Sequence, residues 1–267
     1  MANLTQELGW STGRVNAVQE AASRSIARTA KCRRVIPKGP QMIGHKSVPV
    51  PQIANIAPLQ YGTDIVATPI HIWVDVDIDD QHINDEQAVI DLIEASGAQL
   101  GRLEDEEIIQ GNSIAAPAAN APWGQQLRNN ALRRFQFNAK PNPAAVTNIA
   151  AAARRPTGLE LLTAITTSKD ALEGAGRPGE CGLLLHNSLY GILGLPLVAG
   201  APPLIHQVEE IIEGNQMTGT SALDGTFNAG QTAAILFRLE PHAVDLVHTM
   251  LPTVTFLGRS NGQTHAN

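Results

Sequence analysis

The chain has 267 residues, of which 43% are hydrophobic and only 4% aromatic, so we expect a sizeable, mainly aliphatic core. No run of about 18 apolar residues occurs, so we expect no membrane span, and the N-terminus lacks a signal-peptide core. The two cysteines, Cys32 and Cys181, are far apart and lack metal-type spacing. That usage is typical of free thiols in a reducing compartment.

Charge is distributed unevenly along the chain. Residues 1–46 contain eight basic residues against two acidic ones, a balance of +6. Because the formal net charge is −6, the remaining residues carry −12. A basic arm on an acidic body indicates that the arm faces a polyanion or an acidic neighbour, and a solvated amphipathic helix is the alternative.

The N-terminal part of the chain is typical of a helix followed by a long extended segment. Residues 11–31 predict a helix capped by Ser11 or Thr12, with a narrow apolar face. Residues 39–68 have no helical pattern and contain four prolines, which favours a long excursion or a loose β-hairpin. A loop this long is unusual inside a compact domain, so we expect it to pack on another copy of the chain.

A strand and a long helix come next. Alternating apolar and polar residues predict a strand over Thr68–Ile78. Asn84–Gly111 predicts one long helix, with Asn84 as its N-cap, and its length would be roughly 40 Å. Gly97 and Gly101 lower the helix propensity and lie four residues apart, so we expect close packing against them.

The second half of the chain changes to an α/β pattern. Residues 112–157 are rich in Ala, Asn and Pro, with a short element of either type over Leu127–Phe137. Helices are then predicted over 159–172, 188–193 and 203–212, and strands over 182–185, 217–220, 232–237 and 243–250. The polar tail from Ser260 is expected to be loose.

The motifs that suggest chemistry are weak. Asp75, Asp77, Asp79 and Glu86 match carboxylate positions of a calcium loop, but Asp80 stands where that loop needs glycine. The GxGxxG at Gly174 follows a helix rather than a strand, unlike a dinucleotide-binding loop. We therefore expect no catalytic residues, no metal site and no cofactor, and hence no enzyme.

The order of the parts, rather than any single motif, resembles a known family. A basic helix leads to RRVIPKGP at 33–40, then come the extended segment, a strand, and a long helix that ends in an acidic run before Gly111. GLELLTAITTSKDALEGAG at 158–176 and CGLLLHNSLYGIL at 181–193 follow. This order is similar to the Hong Kong 97-type shell proteins, which comprise tailed-phage major capsid proteins and encapsulins.

The resemblance implies an α+β Hong Kong 97-type capsid fold with five parts. These are an N-terminal arm and helix (1–40), an extended E-loop (41–68), a peripheral domain (69–157) with a spine helix (84–110), an α/β axial domain (158–229), and return strands to the peripheral domain with a C-terminal tail (230–267). Two features differ from an encapsulin: segment 112–157 is longer than expected, and a polar tail follows Phe256 where the family often has another strand.

The family also implies a function and partners. The chain would self-assemble into a closed icosahedral shell, and the first interpretation is a phage major capsid protein that encloses DNA in a virion assembled in the host cytoplasm. The alternative is an encapsulin, a cytoplasmic compartment around a cargo enzyme. Other copies of the chain, non-specifically bound DNA, and cement, portal or cargo proteins are the implied partners; no membrane is involved.

Three groups of residues are the predicted sites. In the E-loop, the residues expected to contact a neighbouring copy are Val48, Val50, Ile53 and Ile56. The lumenal basic arm comprises Arg24, Arg28, Arg33, Arg34 and Lys38. The acidic end of the spine helix comprises Glu104, Asp105, Glu106 and Glu107, and a solvated or interface-facing position is expected for it.

Overall fold

The computed structural model describes residues 8–50, 53–56, 59–61, 65–67, 71–110, 146–150, 156–174, 178–212, 217–220, 232–239, 246–260 and 263–266, with Leu4, Pro69 and Gly176. The chain forms two compact units. Unit 1 comprises Met1–Ala30, His71–Glu104 and Met250–Asn267; unit 2 comprises Lys31–Ile70 and Asp105–Thr249. The predicted element 127–137 lies outside the described residues.

Two long helices and a small antiparallel sheet are the main described elements of unit 1. Helix α1 spans Thr12–Thr29, and helix α3 spans Glu86–Gln110, of which the residues up to Glu104 belong to this unit. The sheet has the strand order β10 (Phe256–Ser260), β11 (Gln263–Ala266), β5 (Val76–Asp79). Its core is aliphatic, with Trp10 as the one buried aromatic residue among the described positions; the buried members are Leu4, Trp10, Val18, Ala22, Val76, Ile78, Ile83, Val89 and Ile93.

The caps of the two long helices show one prediction confirmed and one wrong. Ser11 caps α1 as expected, because its Oγ accepts a hydrogen bond from the Arg14 amide at 3.2 Å. Asn84 does not cap α3. Instead, Asp85 Oδ1 accepts from the amides of Gln87 at 3.1 Å and Ala88 at 3.2 Å, so the helix begins later than expected, at Glu86.

The strand predicted over Thr68–Ile78 is much shorter than expected. Only Val76–Asp79 pairs, with Val76 and Ile78 buried and Asp77 and Asp79 exposed, while residues 71–75 form no strand. In the described residues, the strand pairs with four residues of β11, Gln263–Ala266. Alternation in sequence marks which side chains can be buried, but a ladder also needs a partner strand of equal length.

The polar tail is not loose, so that prediction is wrong. Strand β10 pairs with β11 in an antiparallel hairpin, and β11 pairs on its other side with β5. A strand is therefore present after Phe256, where a polar tail without one was expected. Polar residues can form this strand because the ladder uses backbone groups, which side-chain periodicity does not reveal.

Unit 2 is built on a mixed four-stranded sheet. The strand order is β6 (Val146–Ala150), β9 (Thr232–Arg238), β7 (Cys181–His186), β8 (Met217–Thr220). Only β7 and β8 are parallel. All six residues of β7 are buried, as expected of a strand covered on both faces.

Helices cover the two faces of this sheet. Helices α4 (Gly158–Gly174), α5 (Asn187–Leu193) and α6 (Leu204–Ile212) pack with Leu183, Leu185 and Leu236 in the larger core. The short helix α2 (Cys32–Val35) packs with Leu184, Ile235 and Phe237 in a second, smaller core. These helices confirm the α/β pattern predicted from residue 158 onward.

Two further predictions in unit 2 have different outcomes. The extended segment forms two nested antiparallel pairs: β1 (Val48–Val50) with β4 (Ile65–Ala67), and inside them β2 (Ile53–Ile56) with β3 (Leu59–Tyr61). This confirms the hairpin. No strand forms over the described residues 246–250 of the predicted strand 243–250, where Leu246 makes only an isolated bridge to Lys38.

Candidate functional site

The basic helix α1 lies directly on α3, and two glycines allow this contact. A Cβ added at Gly97 would lie 3.1 Å from the carbonyl oxygen of Ala22 and 3.1 Å from Ser25 Cβ. A Cβ at Gly101 would overlap Thr29 Oγ1 and lie 3.0 Å from the Ala30 amide nitrogen. The close packing predicted for both glycines is confirmed, and it fixes the face of α1 that remains exposed.

A charged pair and a hydroxyl fix α1 on α3. Arg24 forms a salt bridge with Glu94, with 2.7 Å between Nη2 and Oε1, and Ser25 Oγ donates to the Glu94 carbonyl oxygen at 2.5 Å. The hydrogen bond to Glu94, together with its charge, raises the pKa of Arg24 further above its ordinary value. Arg24 therefore keeps its charge at every physiological pH, and it already has a partner within the chain.

The predicted basic arm is exposed in most of its members. Arg24 and Arg28 lie on the exposed side of α1 in unit 1; Arg34 and Lys38 are exposed in unit 2, and Arg33 is half-buried. Arg28, Arg33 and Arg34 each have an interaction within the chain, so they are not free cations. The arm is thus two exposed basic segments rather than a row of unpaired charges.

The acidic end of the spine helix does not have the predicted solvated position at Asp105. The side chain is fully buried, and its two oxygens accept hydrogen bonds from the amides of Lys31 and Cys32, each at 2.8 Å. These two amides stand at the start of α2, where helix geometry leaves N–H groups without partners. Glu104 is half-buried, and the side chains of Glu106 and Glu107 lie outside the described residues.

Of the four predicted E-loop contact residues, Val48 is the one whose side chain the structure describes. Val48 is buried within the single chain, so its side chain is not part of an exposed apolar strip. The side chains of Val50, Ile53 and Ile56 lie outside the described residues, although their backbones belong to the nested strands.

An exposed apolar surface on unit 2 was missed in the sequence. Leu159, Leu195 and Val198 are 63%, 60% and 70% exposed. Leu159 and Leu195 line a cavity of about 200 Å³ together with Ile192, Pro196 and Leu197. The sequence does indicate this surface, because residues 187–205 contain no charged side chain. Exposed apolar surface of this kind is typical of a protein contact.

The carboxylates of the calcium template do not converge. Asp75, Asp77, Asp79 and Glu86 are all exposed, and Asp79 Oδ1 accepts instead from the amide of Gln81 at 3.0 Å. Across the residues that the structure describes, no three His, Cys, Asp or Glu side chains are grouped so that they could hold a metal ion. Within the same ranges, no helix is both long and apolar enough to cross a membrane.

Comparison with known proteins identifies the fold. No protein-family model matches the chain, and no curated protein matches its sequence. Among solved structures, the chain is similar to the virus-like particle from Pyrococcus furiosus, with a TM-score of 0.66 and 15% identity, over 94% of this chain and 90% of that one. The chain shares the fold of that particle's protein. At this identity the likeness concerns the fold alone, which agrees with the element order found in the sequence.

Proposed function

We propose that this chain is the structural protein of a closed icosahedral shell that many identical copies form. The observation that carries the proposal is the shared fold with a virus-like particle over nearly the whole length of both chains. The nested strand pairs of residues 48–67 and the exposed apolar surface around Val198 support it, because both features suit contacts between copies.

Two proposals concern what the shell encloses. The first is a tailed-phage major capsid protein of the Hong Kong 97 type, and the exposed Arg28, Arg34 and Lys38 support it because basic side chains release counterions when they reach packaged DNA. The second is an encapsulin, with a protein cargo. It gains support from strand β11, since the expected absence of a strand after Phe256 argued against it.

We also propose that the chain has no catalytic turnover and requires no metal or cofactor. This rests on the weak motifs of the sequence and on the solvated positions of Asp75, Asp77 and Asp79. Calorimetric titration with calcium tests it, and stoichiometric binding tighter than about 10 μM, in the range of sensor proteins, would contradict the proposal.

The decisive experiment combines light scattering with negative-stain microscopy of the purified chain. We expect closed particles of uniform diameter at micromolar concentration and physiological salt. A monodisperse monomer under these conditions would contradict the shell. The ratio of absorbance at 260 and 280 nm, followed by nuclease digestion and protein gels, then separates a nucleic-acid content from a protein cargo.

A further inference from the structure

A buried arginine ends strand β9 next to a cysteine of the neighbouring strand. Arg238 is fully buried and is the register partner of Cys181, which is also fully buried. One guanidinium nitrogen, Nη1, lies 2.9 Å from Cys181 Sγ and also donates to the Gly179 carbonyl oxygen. The thiol and the guanidinium therefore share one site in the interior of unit 2.

The carboxylate near Arg238 does not neutralise this site fully. Glu173 Oε1 lies 3.8 Å from Arg238 Nη2, but that side chain is 44% exposed, and Lys169 Nζ lies 3.5 Å from the same oxygen. Glu180, which precedes Cys181, is exposed. Two cations thus meet one half-exposed carboxylate, and neither Nε nor Nη2 of Arg238 has a hydrogen-bond partner.

Physical chemistry requires a counter-charge close to Arg238. A guanidinium cannot lose its proton in a protein, and a buried charge without a partner is strongly unfavourable. A thiol can supply the missing charge, because a neighbouring arginine favours the thiolate. Burial in apolar surroundings favours the neutral thiol, but here the neutral thiol would lie 2.9 Å from an arginine whose nearest carboxylate, on the half-exposed Glu173, is 3.8 Å away.

We propose that Cys181 is a buried thiolate and the counter-ion of Arg238. The pair makes the stability of unit 2 depend on pH. A group that ionises more readily in the folded chain than in the unfolded chain stabilises the fold at high pH, and this contribution is lost as the pH falls through the folded-state midpoint. The inference concerns a single copy of the chain and does not depend on whether the chain forms shells.

Thiolate absorbance at 240 nm measures the ionisation directly. The Cys32→Ala variant leaves Cys181 as the single thiol, since the chain has two cysteines. The same variant unfolded in guanidinium chloride gives the reference midpoint, about 8.5 for an ordinary thiol. We expect the native midpoint to lie at least about one pH unit lower, a tenfold change in the ionisation constant. A native midpoint at or above the reference would overturn the proposal.

A second substitution tests whether Arg238 is the cause of the lowered ionisation midpoint of Cys181. Arg238→Met in the Cys32→Ala background should return the midpoint to the reference value or above it. Glu173→Gln is the matched control, because it removes a negative charge and should leave the midpoint unchanged or lower it. An Arg238→Met midpoint that equals that of the parent would overturn the assignment. If this variant does not fold, the titration of the Cys32→Ala protein alone decides.

Discussion

Single residues decide how closely α1 lies on α3. Gly101 faces Thr29 and the Ala30 amide with no room for a methyl group, whereas Gly13, also in a helix, has only Ser11 Oγ at 3.9 Å from an added Cβ. Gly101→Ala should destabilise the unassembled chain by about 1–3 kcal/mol through overpacking. Gly13→Ala should be neutral or stabilise by up to about 1 kcal/mol. Denaturant unfolding measures both, and equal values for the two variants would contradict the packing argument.

Asp105 is the second residue whose position gives a prediction. Asp105→Asn keeps the shape but turns an amide NH₂ toward one of the two N–H groups that the carboxylate accepts from, Lys31 and Cys32. An unsatisfied buried donor costs about 1–3 kcal/mol, and the free energy of unfolding should fall by that amount. Asp91→Asn, on the exposed side of the same helix, is the control and should change it by less than about 0.5 kcal/mol.

Among the elements, β11 has the greatest consequence for unit 1. It is the central strand of its sheet, so replacing Gln263–Ala266 with Gly-Ser-Gly-Ser should separate β5 from β10. We expect hydrogen exchange to accelerate at the amides of Val76–Asp79, while the buried strand Cys181–His186 in unit 2 keeps its protection. Leu257→Ser, at an exposed position of β10, should leave both regions protected. Unchanged exchange in β5 after the replacement would show that β11 is dispensable.

The elements also show what the sequence can and cannot predict. Helices α1, α4 and α6 are predictable to within a few residues, because apolar periodicity and capping residues are local signals. Strands β7, β8 and β9 are also predicted to within about one residue. The extent of β5 is not, since its pairing partner lies almost 190 residues later in the chain. The burial of Asp105 cannot be predicted for the same reason. A run of charged residues normally indicates exposure to solvent, but here the backbone amide of Cys32, distant in sequence, donates to one member of the run.

At the scale of the whole molecule, the nested strands allow a precise test of assembly. Replacing residues 51–64 with a short Gly-Asn turn removes the inner pair and keeps the outer pair, β1 with β4. If the inner pair reaches a neighbouring copy, the chain should fold, as judged by circular dichroism, but form no particles in light scattering. Particles at the wild-type yield would show that the inner pair is not an assembly contact.

The basic arm is tested in assembled particles. Changing Arg24, Arg28, Arg33 and Arg34 to Gln should keep the shell and lower its nucleic-acid content, and the logarithmic salt dependence of retention should fall by up to about 0.9 per lost phosphate contact. Arg102→Gln, exposed on α3, is the control outside the arm. Failure of a variant that remains folded by circular dichroism to form shells would identify the arginines as interface residues, and unchanged retention would contradict the DNA-facing arm.

Because β11 is the central strand, β5 must wait for its pairing partner during synthesis of the chain. Strand β5 leaves the ribosome about 185 residues before its partner, which at roughly 5–20 residues per second corresponds to a delay of about 10–40 s. During this interval the four strands of the other sheet, β6 to β9, are synthesised completely and can pair. The sheet of unit 1 can therefore be completed only after residues 263–266 have been synthesised. A polypeptide that stops before them lacks the middle strand of the sheet, so neither β5 nor β10 has its pairing partner.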